Sequence, residues 1–394
     1  MQKLKGPILF VVLIGFVSLF SDMVYEGARG VTGPFLESLK ANAFIVGLFA
    51  GLGEFIGYGM RLFSGLWADK TQKYWVFVFS GYAINLLSVP LMALAGYWQI
   101  AVVLMMMERL GKAIRTPSRD ALMAAASSEI GRGWAFGLHE ALDQIGATLG
   151  PLIMMAVLYF SHDHYPSAFA WTLIPALVAL SLLVVSKTKE PPKQVSGNGK
   201  YRFEKMSDLF RHRPFIFFLI GAGLLAAGFT DFPLIAFHIK HHNLATDSLI
   251  PALYAMAMIV DAAAALWLGK LYDRKGILAL MVSTALSLLF PVLAFSSSFP
   301  LVVLGMVLWG IGMGAQESIL RAALAGMAPE GKTATVYGIF NTVYGLAWFA
   351  GSALMGLFYN VKLSGLIIFS IVAQLLALAT FFLIKKQEQH AARS

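Results

Sequence analysis

Residues 365–384 read GLIIFSIVAQLLALATFFLI, a run of twenty residues without a charged side chain. A helix needs about 20 apolar residues to cross the hydrocarbon core of a bilayer, more than the core helix of a soluble domain offers. Residues 76–107 form a second charge-free stretch, long enough for one span and part of the next. Both stretches predict helices that cross a membrane.

The composition of the whole chain agrees with this interpretation. Of its 394 residues, 58% are hydrophobic and 13% are charged, whereas a soluble domain carries roughly 25% charged residues. The net charge of +9 does not indicate nucleic-acid binding, because the basic residues flank apolar runs. The absence of cysteine excludes a disulfide framework and a thiolate metal site. We therefore expect the lipid bilayer as a partner, and neither nucleic acid nor a cofactor.

Polar breaks divide the chain into two sets of six helices. The predicted bundles cover residues 1–185 and 214–394, and the segment between them, 186–213, holds eight basic and three acidic side chains. Pro191, Pro192 and a Ser-Gly-Asn-Gly run make this segment a flexible linker. The predicted fold is an all-α membrane protein with twelve transmembrane helices in two pseudo-symmetric six-helix bundles. No small-residue cleavage site follows the first apolar run, so we interpret it as an uncleaved helix.

The distribution of Lys and Arg predicts the orientation in the membrane. With the N-terminus inside, 20 of the 30 basic residues lie on the inner side and seven lie within spans. The other three, Lys40, Lys240 and Lys362, lie on the outer side. Since Lys and Arg are enriched in cytoplasmic loops, we expect a multi-pass protein of the cytoplasmic membrane with both termini and the linker in the cytoplasm.

The two halves also share short sequence matches in the same order. The matched segments are Gly65–Lys70 with Gly269–Arg274, Phe20–Asp22 with Phe229–Asp231, and Arg119–Leu122 with Arg321–Leu324. Three matches in one order indicate a duplicated six-helix unit. Parallel repeats around a site near the bilayer midplane are a transporter architecture.

Three motifs resemble those of the major facilitator superfamily. Gly65–Lys73 resembles its loop motif, Arg109 resembles its buried arginine on the fourth helix, and Gly146–Pro151 resembles its antiporter motif on the fifth. Gln72 stands where the loop motif usually has glycine, and methionines replace the trailing glycines of the antiporter motif. The resemblance implies alternating access of two bundles around a central cavity, usually driven by an ion gradient. It also implies a gating role for Asp69 and for Asp273 in the second copy.

Charged residues within the first two spans form polar stripes. With 100° between successive residues, each stripe occupies an arc of about 60° on its helix. The stripes are Asp22, Glu26 and Arg29 on the first helix, and Glu54, Tyr58 and Arg61 on the second. Because a lone charge in the membrane costs about 2.5–3.5 kcal/mol or more, we expect both stripes to face a wet cavity or other charges.

The fourth and fifth helices carry further charges. Glu108 and Lys112 are spaced for an ion pair within the fourth helix. Arg115 and Arg119 lie nearer its cytoplasmic end, as interfacial or gate residues. On the fifth helix, Glu140 or Asp143 either pairs with a cation of the fourth helix or carries a proton. His139 is expected to be a packed histidine, and no metal site is expected, because residues at i, i+1 and i+4 point in different directions.

The second half has fewer charges. Arg321 lies one turn from Glu317, so the two form either a self-satisfied pair or part of a gate. Asn341, Tyr344 and Trp348 share one face of the eleventh helix, as expected equally for helix packing and for ligand contact.

Three sets of candidate residues follow. The substrate-binding set is Tyr25, Glu26, Arg29, Glu54, Tyr58, Arg61, Arg109, Lys112, Asn341, Tyr344 and Trp348. The proton-coupling set is Asp22, Glu26, Glu140 and Asp143. The gating set is Asp69, Arg115, Arg119, Asp273 and Arg321.

The favoured hypothesis is a monomeric secondary transporter for a small organic solute with an anionic or zwitterionic part, coupled to protons or to sodium. The alternative within transport is an antiporter that exports amphipathic compounds. A membrane-embedded enzyme is the remote alternative, because the sequence has no nucleophile elbow, metal-ligand spacing or phosphate-binding loop.

The predicted orientation can be tested with single cysteines, because the chain has none of its own. A cysteine at Asn198 in the linker and one at Ser298 in a predicted outer loop should react with a membrane-impermeant maleimide from opposite faces. Labelling of both positions from outside the cell would contradict the twelve-helix assignment.

Overall fold

The computed structural model describes residues 2–127, 130–189, 213–327 and 333–391. All regular elements within these ranges are helices. The first half contains α1 Gln2–Ser38, α2 Ala43–Thr71, α3 Tyr74–Leu91 with a 3-10 turn at Met92–Leu94, α4 Trp98–Ala126, α5 Arg132–Phe160, α6 Tyr165–Trp171 and α7 Leu173–Thr188. The second half contains α8 Arg213–Gly228, α9 Phe232–His241, α10 Leu249–Lys275, α11 Leu278–Ser287, α12 Phe290–Ala294, α13 Phe299–Met327, α14 Thr333–Val361 and α15 Leu363–Ala391.

These helices confirm the twelve predicted spans. Ten helical stretches of the described chain are long and apolar enough to cross a membrane. α4 is equally long but carries six ionisable side chains, and the shorter apolar pair α11 and α12 covers residues 278–294. Together they make the six-plus-six arrangement. α6 with α7 and α8 with α9 each form one span.

Two of the spans in the second half are interrupted next to a proline. Pro233 lies in the first turn of α9, and Pro291 lies in the first turn of α12. A proline has no N–H, and its ring clashes with the carbonyl of the preceding turn. It therefore fits the first turn of a helix and disfavours the continuation of the preceding one.

Side chains from neighbouring helices satisfy the backbone at the break between α8 and α9. The Ser370 hydroxyl donates to the carbonyl of Gly228 over 2.5 Å, and the Trp309 indole donates to the carbonyl of Thr230 over 2.8 Å. In a bilayer, each backbone carbonyl released from a helix needs such a partner. The break is thus a packed part of the second half.

The packing of the helices repeats between the halves. α1 packs on α5 and on α7, and α3 packs on α4. In the second half, α8 packs in the same way on α14 and α15, and α11 packs on α13. These pairs occupy equivalent places in the duplicated six-helix unit.

The chain forms two compact units. The first unit comprises residues 1–40, 56–200 and 246–255, and the second comprises 41–55, 201–245 and 256–394. The segments 41–55 and 246–255 therefore pack with the half to which the sequence analysis did not assign them. The predicted linker, 186–213, lies largely outside the described residues and stays a prediction.

Close helix contacts in the second unit depend on glycine. A Cβ added to Gly351 on α14 would overlap the backbone of Ala227 on α8. A Cβ added to Gly57 on α2 would meet no atom within 4 Å. These two positions form a matched pair, because both are glycines within long helices.

Gly351→Ala should destabilise the protein, because the added methyl forces α8 and α14 apart at a cost of about 1–3 kcal/mol. Gly57→Ala should leave stability unchanged or raise it, since alanine is favoured over glycine in a helix by about 1 kcal/mol. The midpoint of thermal unfolding in detergent measures both effects. Equal midpoints for the two variants would contradict the close contact between these helices.

Candidate functional site

The polar stripe of α1 is buried in the first unit where α5 crosses it. Asp22 is 5% exposed and Glu26 is 8% exposed. A Cβ added to Gly150 would lie 2.5 Å from the carbonyl oxygen of Met23, and one added to Gly146 would lie 2.9 Å from the Cβ of Asp22. The glycines of the antiporter-like motif therefore let the backbone of α5 lie directly against the stripe.

Glu26 joins three helices of the first unit. The Tyr254 hydroxyl on α10 donates to its Oε2 over 2.6 Å, and Nζ of Lys112 on α4 lies 3.9 Å from its Oε1. Nζ of Lys112 also lies 3.8 Å from the ring centroid of Tyr25. The sequence analysis selected Glu26, Tyr25 and Lys112 separately, and the structure brings them together. It did not select Tyr254, a lone tyrosine in an apolar run.

Arg115 is held between two tyrosine rings. Its Cζ lies 4.3 Å from the ring centroid of Tyr82 on α3 and 5.8 Å from that of Tyr25, within the range of a cation–π contact. It is 1% exposed and therefore buried inside the protein. Its Nε and Nη1 have no hydrogen-bond partner among the described residues. The sequence analysis did not select Tyr82. The adjacent Gly81 lets α3 lie against α4 here, because a Cβ on it would meet the Arg115 backbone nitrogen at 2.6 Å.

Other charges on α4 contact nearby side chains. Oε2 of Glu108 lies 3.2 Å from Nε of Arg109, and the Asn85 amide donates to Oε1 of Glu108 over 2.9 Å. Nη2 of Arg119 lies 2.8 Å from the Asp120 carboxylate. Both Arg109 and Arg29 interact electrostatically with Tyr254. Lys112, Arg29 and Arg109 thus all interact with Glu26 or with its partner Tyr254.

On α5, the candidate proton carriers differ in exposure. Nδ1 of His139 lies 3.2 Å from Oδ2 of Asp143, and the Asp143 side chain is 20% exposed. Glu140 is exposed. Asp143 also interacts electrostatically with Arg119, the kind of α4 cation that the sequence analysis expected as a partner.

The stripe of α2 is divided between the units. Glu54 is buried in segment 41–55 of the second unit, whereas Tyr58 and Arg61 belong to the first. Cζ of Arg61 lies 5.2 Å from the ring centroid of Tyr58.

The aromatic face of α14 is packed within the second unit. The Tyr344 hydroxyl donates to Gln316 over 2.8 Å, and the Trp348 indole donates to Oδ2 of Asp231 over 2.8 Å. The two rings are 5.5 Å apart, and both residues are buried. Asn341 is partly exposed. Of the two interpretations left open for this face, these contacts favour helix packing for Tyr344 and Trp348.

The predicted gate residues of the loops lie near helix ends. The Tyr74 hydroxyl donates to Oδ1 of Asp69 over 2.9 Å, and Asp273 is exposed near the end of α10. The backbone carbonyl of Arg321 accepts a hydrogen bond of 2.9 Å from Tyr337.

The motifs and the paired six-helix packing agree with comparisons to known proteins. A family model described as "Major Facilitator Superfamily" matches residues 11–352. The chain belongs to the major facilitator superfamily. It is thus a multi-pass membrane protein of a transporter family.

The alignments with relatives cover nearly the whole chain. An uncharacterised protein of Mycobacterium tuberculosis is 37% identical over 382 residues, which is 95% of this chain and 93% of the relative. An uncharacterised MFS-type transporter of Methanocaldococcus jannaschii is 28% identical over 89% of each chain. A solved bacterial homologue of the human lysosomal transporter Spinster, in an inward-facing and unoccupied conformation, aligns with a TM-score of 0.77 at 13% identity over 97% of both chains. That last likeness shows a shared fold.

Tyr254→Phe should destabilise the protein, because it removes a buried hydrogen bond to Glu26. Hydrogen bonds to a charged group contribute about 1.5–3 kcal/mol, and the loss should lower the midpoint of thermal unfolding. Tyr159→Phe is the matched control, since Tyr159 is exposed.

In the background of Glu26→Gln, the effect of Tyr254→Phe should be smaller, because the phenol then donates to a neutral amide. Equal effects in both backgrounds would show that Tyr254 stabilises the protein without its bond to Glu26.

Proposed function

We propose that this chain is a secondary active transporter that moves a small organic solute across the cytoplasmic membrane by alternating access. The solute has an anionic or zwitterionic part, and its movement is coupled to protons. The family membership supports transport. The observation that carries the rest of the proposal is the buried group of Glu26, Lys112, Tyr254 and Arg115 in the first unit.

The unmatched donors of Arg115 support an anionic part of the substrate. A buried cation is stable only when its charge and its N–H groups are matched. Two ring faces match part of the charge of Arg115, but its Nε and Nη1 find no acceptor in the described residues. Carboxylate or phosphate oxygens would supply such acceptors, and a guanidinium binds them through two parallel hydrogen bonds. The neighbouring ammonium of Lys112 adds to the attraction.

The carboxylates of α1 support coupling to an ion. A carboxylate in a low-dielectric site can neutralise its charge by taking up a proton. Oδ1 of Asp22 is buried and has no hydrogen-bond partner within the described residues. Glu26, by contrast, has Lys112 and Tyr254 as partners. Asp22 is therefore the first choice for the proton carrier. Sodium is the other ion that a carboxylate could hold.

A second candidate function is the export of amphipathic compounds in exchange for protons. It is favoured by the antiporter-like motif, whose Gly146 and Gly150 lie directly against α1. In this case the carboxylates Asp22 and Glu26 would attract a cationic substrate. The net charge of the compounds that bind separates the two candidates.

A ligand can be found by a thermal-shift screen of the purified protein against a panel of metabolites and drugs. A ligand that binds only the folded state stabilises it by mass action, by about 2.7 kcal/mol in the free energy of unfolding at 100 times its Kd. This stabilisation raises the unfolding midpoint. Stabilisation by organic anions or zwitterions supports the first candidate. Stabilisation by lipophilic cations alone would support export instead.

With such a ligand, Asp22→Asn should abolish accumulation driven by a pH gradient in proteoliposomes. Binding and counterflow exchange should remain, because the substrate is held by other groups. Arg29→Ala should instead lose binding, because it removes a cation from the site. Asp163→Asn in an exposed turn is the matched control and should transport normally.

If Asp22→Asn keeps full gradient-driven accumulation across the pH range, Asp22 is not the coupling residue. The same substitution at Glu26, Glu54 and Asp143 then identifies the carrier.

A further inference from the structure

The Asp143 carboxylate contacts His139 through one oxygen and also interacts with the Ser18 hydroxyl. His139 is 4% exposed, and its Nδ1 lies 3.2 Å from Oδ2 of Asp143, one turn further along α5. The other oxygen, Oδ1, is buried and has no hydrogen-bond partner within the described residues. A buried polar atom without a partner needs an explanation, because such atoms are rare in folded proteins.

Asp22 has an unmatched oxygen of the same kind. Its Oδ1 is buried and lacks a hydrogen-bond partner within the described residues. The charges of Asp22 and Asp143 are close enough to influence each other. Gly146, one turn from Asp143, brings the α5 backbone against the Cβ of Asp22. Two interacting carboxylates therefore each have one oxygen without a donor.

A single proton would match both oxygens at once. Two neighbouring carboxylates repel each other when both are ionised, and a proton placed between them removes that repulsion. It also turns one oxygen into a donor and leaves the other as its acceptor.

Several other groups surround the pair. α4 contributes Lys112, whose charge acts on Asp22, and Arg119, whose charge acts on Asp143. Asp120 pairs with Arg119, and the Ser18 hydroxyl lies 3.2 Å from Nη1 of Arg119. α1 itself contributes Tyr25 and Glu26 beside Asp22. The cations on both sides stabilise the one negative charge that remains when the pair holds a single proton.

We infer that Asp22 and Asp143 form a proton-sharing carboxylate pair between α1 and α5, with His139 as the residue that positions Asp143. This inference rests on the proposed coupling to protons. Asp143, whose side chain is 20% exposed, exchanges the proton with water. Asp22, which is more deeply buried, holds the proton between exchanges. In each transfer an O–H bond of one carboxyl breaks and an O–H bond of the other forms. His139 contacts Oδ2 and so leaves Oδ1 of Asp143 as the oxygen that takes up the shared proton.

The pair can be tested without a substrate, because the probe is the proton. The purified full-length protein in nanodiscs is titrated with pH while infrared spectroscopy follows the C=O band of protonated carboxyl groups. We expect a band that both Asp22→Asn and Asp143→Asn remove. The double variant should lose no more band intensity than either single variant, because only one proton is shared.

Additive losses, with a separate band for each aspartate, would overturn the pair but leave coupling through a single carboxylate intact. Loss of the band in only one of the variants, or in neither, would overturn the pair as well. The proposed coupling itself is decided independently by gradient-driven transport in Asp22→Asn. If Asp143→Asn does not fold, Asp143→Glu replaces it. That variant should shift the frequency of the band that Asp22→Asn removes, which an unpaired Asp22 would not do.

The positioning role of His139 predicts a change in the pH profile. His139→Ala removes a donor that favours the ionised form of Asp143, so the midpoint of the band should rise by about one to two pH units. His139→Asn keeps an N–H near the position of Nδ1 and should restore the midpoint. His164→Ala, at an exposed histidine between α5 and α6, should not move the midpoint. Unchanged midpoints in all three variants would exclude the positioning role.

Discussion

The structure of the first unit depends on one constraint: charges inside a membrane must be matched by other groups of the protein or by water. α4 carries six ionisable side chains across a hydrocarbon layer that tolerates none of them alone. Groups on α1, α3 and α4 itself match these charges. α1 brings Glu26 to Lys112, α3 brings the ring of Tyr82 to Arg115, and Asp120 on α4 itself pairs with Arg119. The arrangement of the helices follows from the charges they must cover.

Such matches require helices that approach one another closely, and glycine provides that approach. Apolar side chains gain little from leaving lipid for protein, so helices in a membrane associate through close packing and polar contacts. A Cβ added to Gly81 would meet the α4 backbone, and one added to Gly150 would meet α1 at 2.5 Å. These contacts stand beside the buried Arg115 and Asp22. The small residues and the buried charges therefore belong to the same helix contacts, because short side chains such as aspartate reach a partner only across a close contact.

The sequence predicts much of the fold, because the signals for spans are local. Runs without charge, the excess of Lys and Arg on one side and the duplicated segments give the number and order of the helices. Contacts between distant residues leave no such local signal, so Tyr82 and Tyr254 could not be recognised as partners of Arg115 and Glu26. The break before α9 also escaped prediction, because an apolar run with the single charge of Asp231 resembles a continuous span, and Pro233 fits equally into a kink or a new first turn.

Asp22 and Asp231 occupy equivalent positions in the sequence repeat, yet their surroundings differ. Oδ2 of Asp231 accepts hydrogen bonds from the Trp348 indole at 2.8 Å and from the Ser352 hydroxyl at 3.3 Å. Two neutral donors on one helix hold this oxygen, at the start of a helix whose amide dipoles favour negative charge. Asp22 lies within a continuous helix, its charge interacts with that of Asp143, and its Oδ1 has no hydrogen-bond partner within the described residues. A carboxylate oxygen that accepts from a neighbouring helix serves the packing of its unit, whereas an oxygen without a donor leaves room for a proton. The two copies therefore differ in hydrogen bonding: the proposed proton carrier is the aspartate that keeps an unmatched oxygen, whereas the aspartate of the second unit is fixed to α14 through its Oδ2.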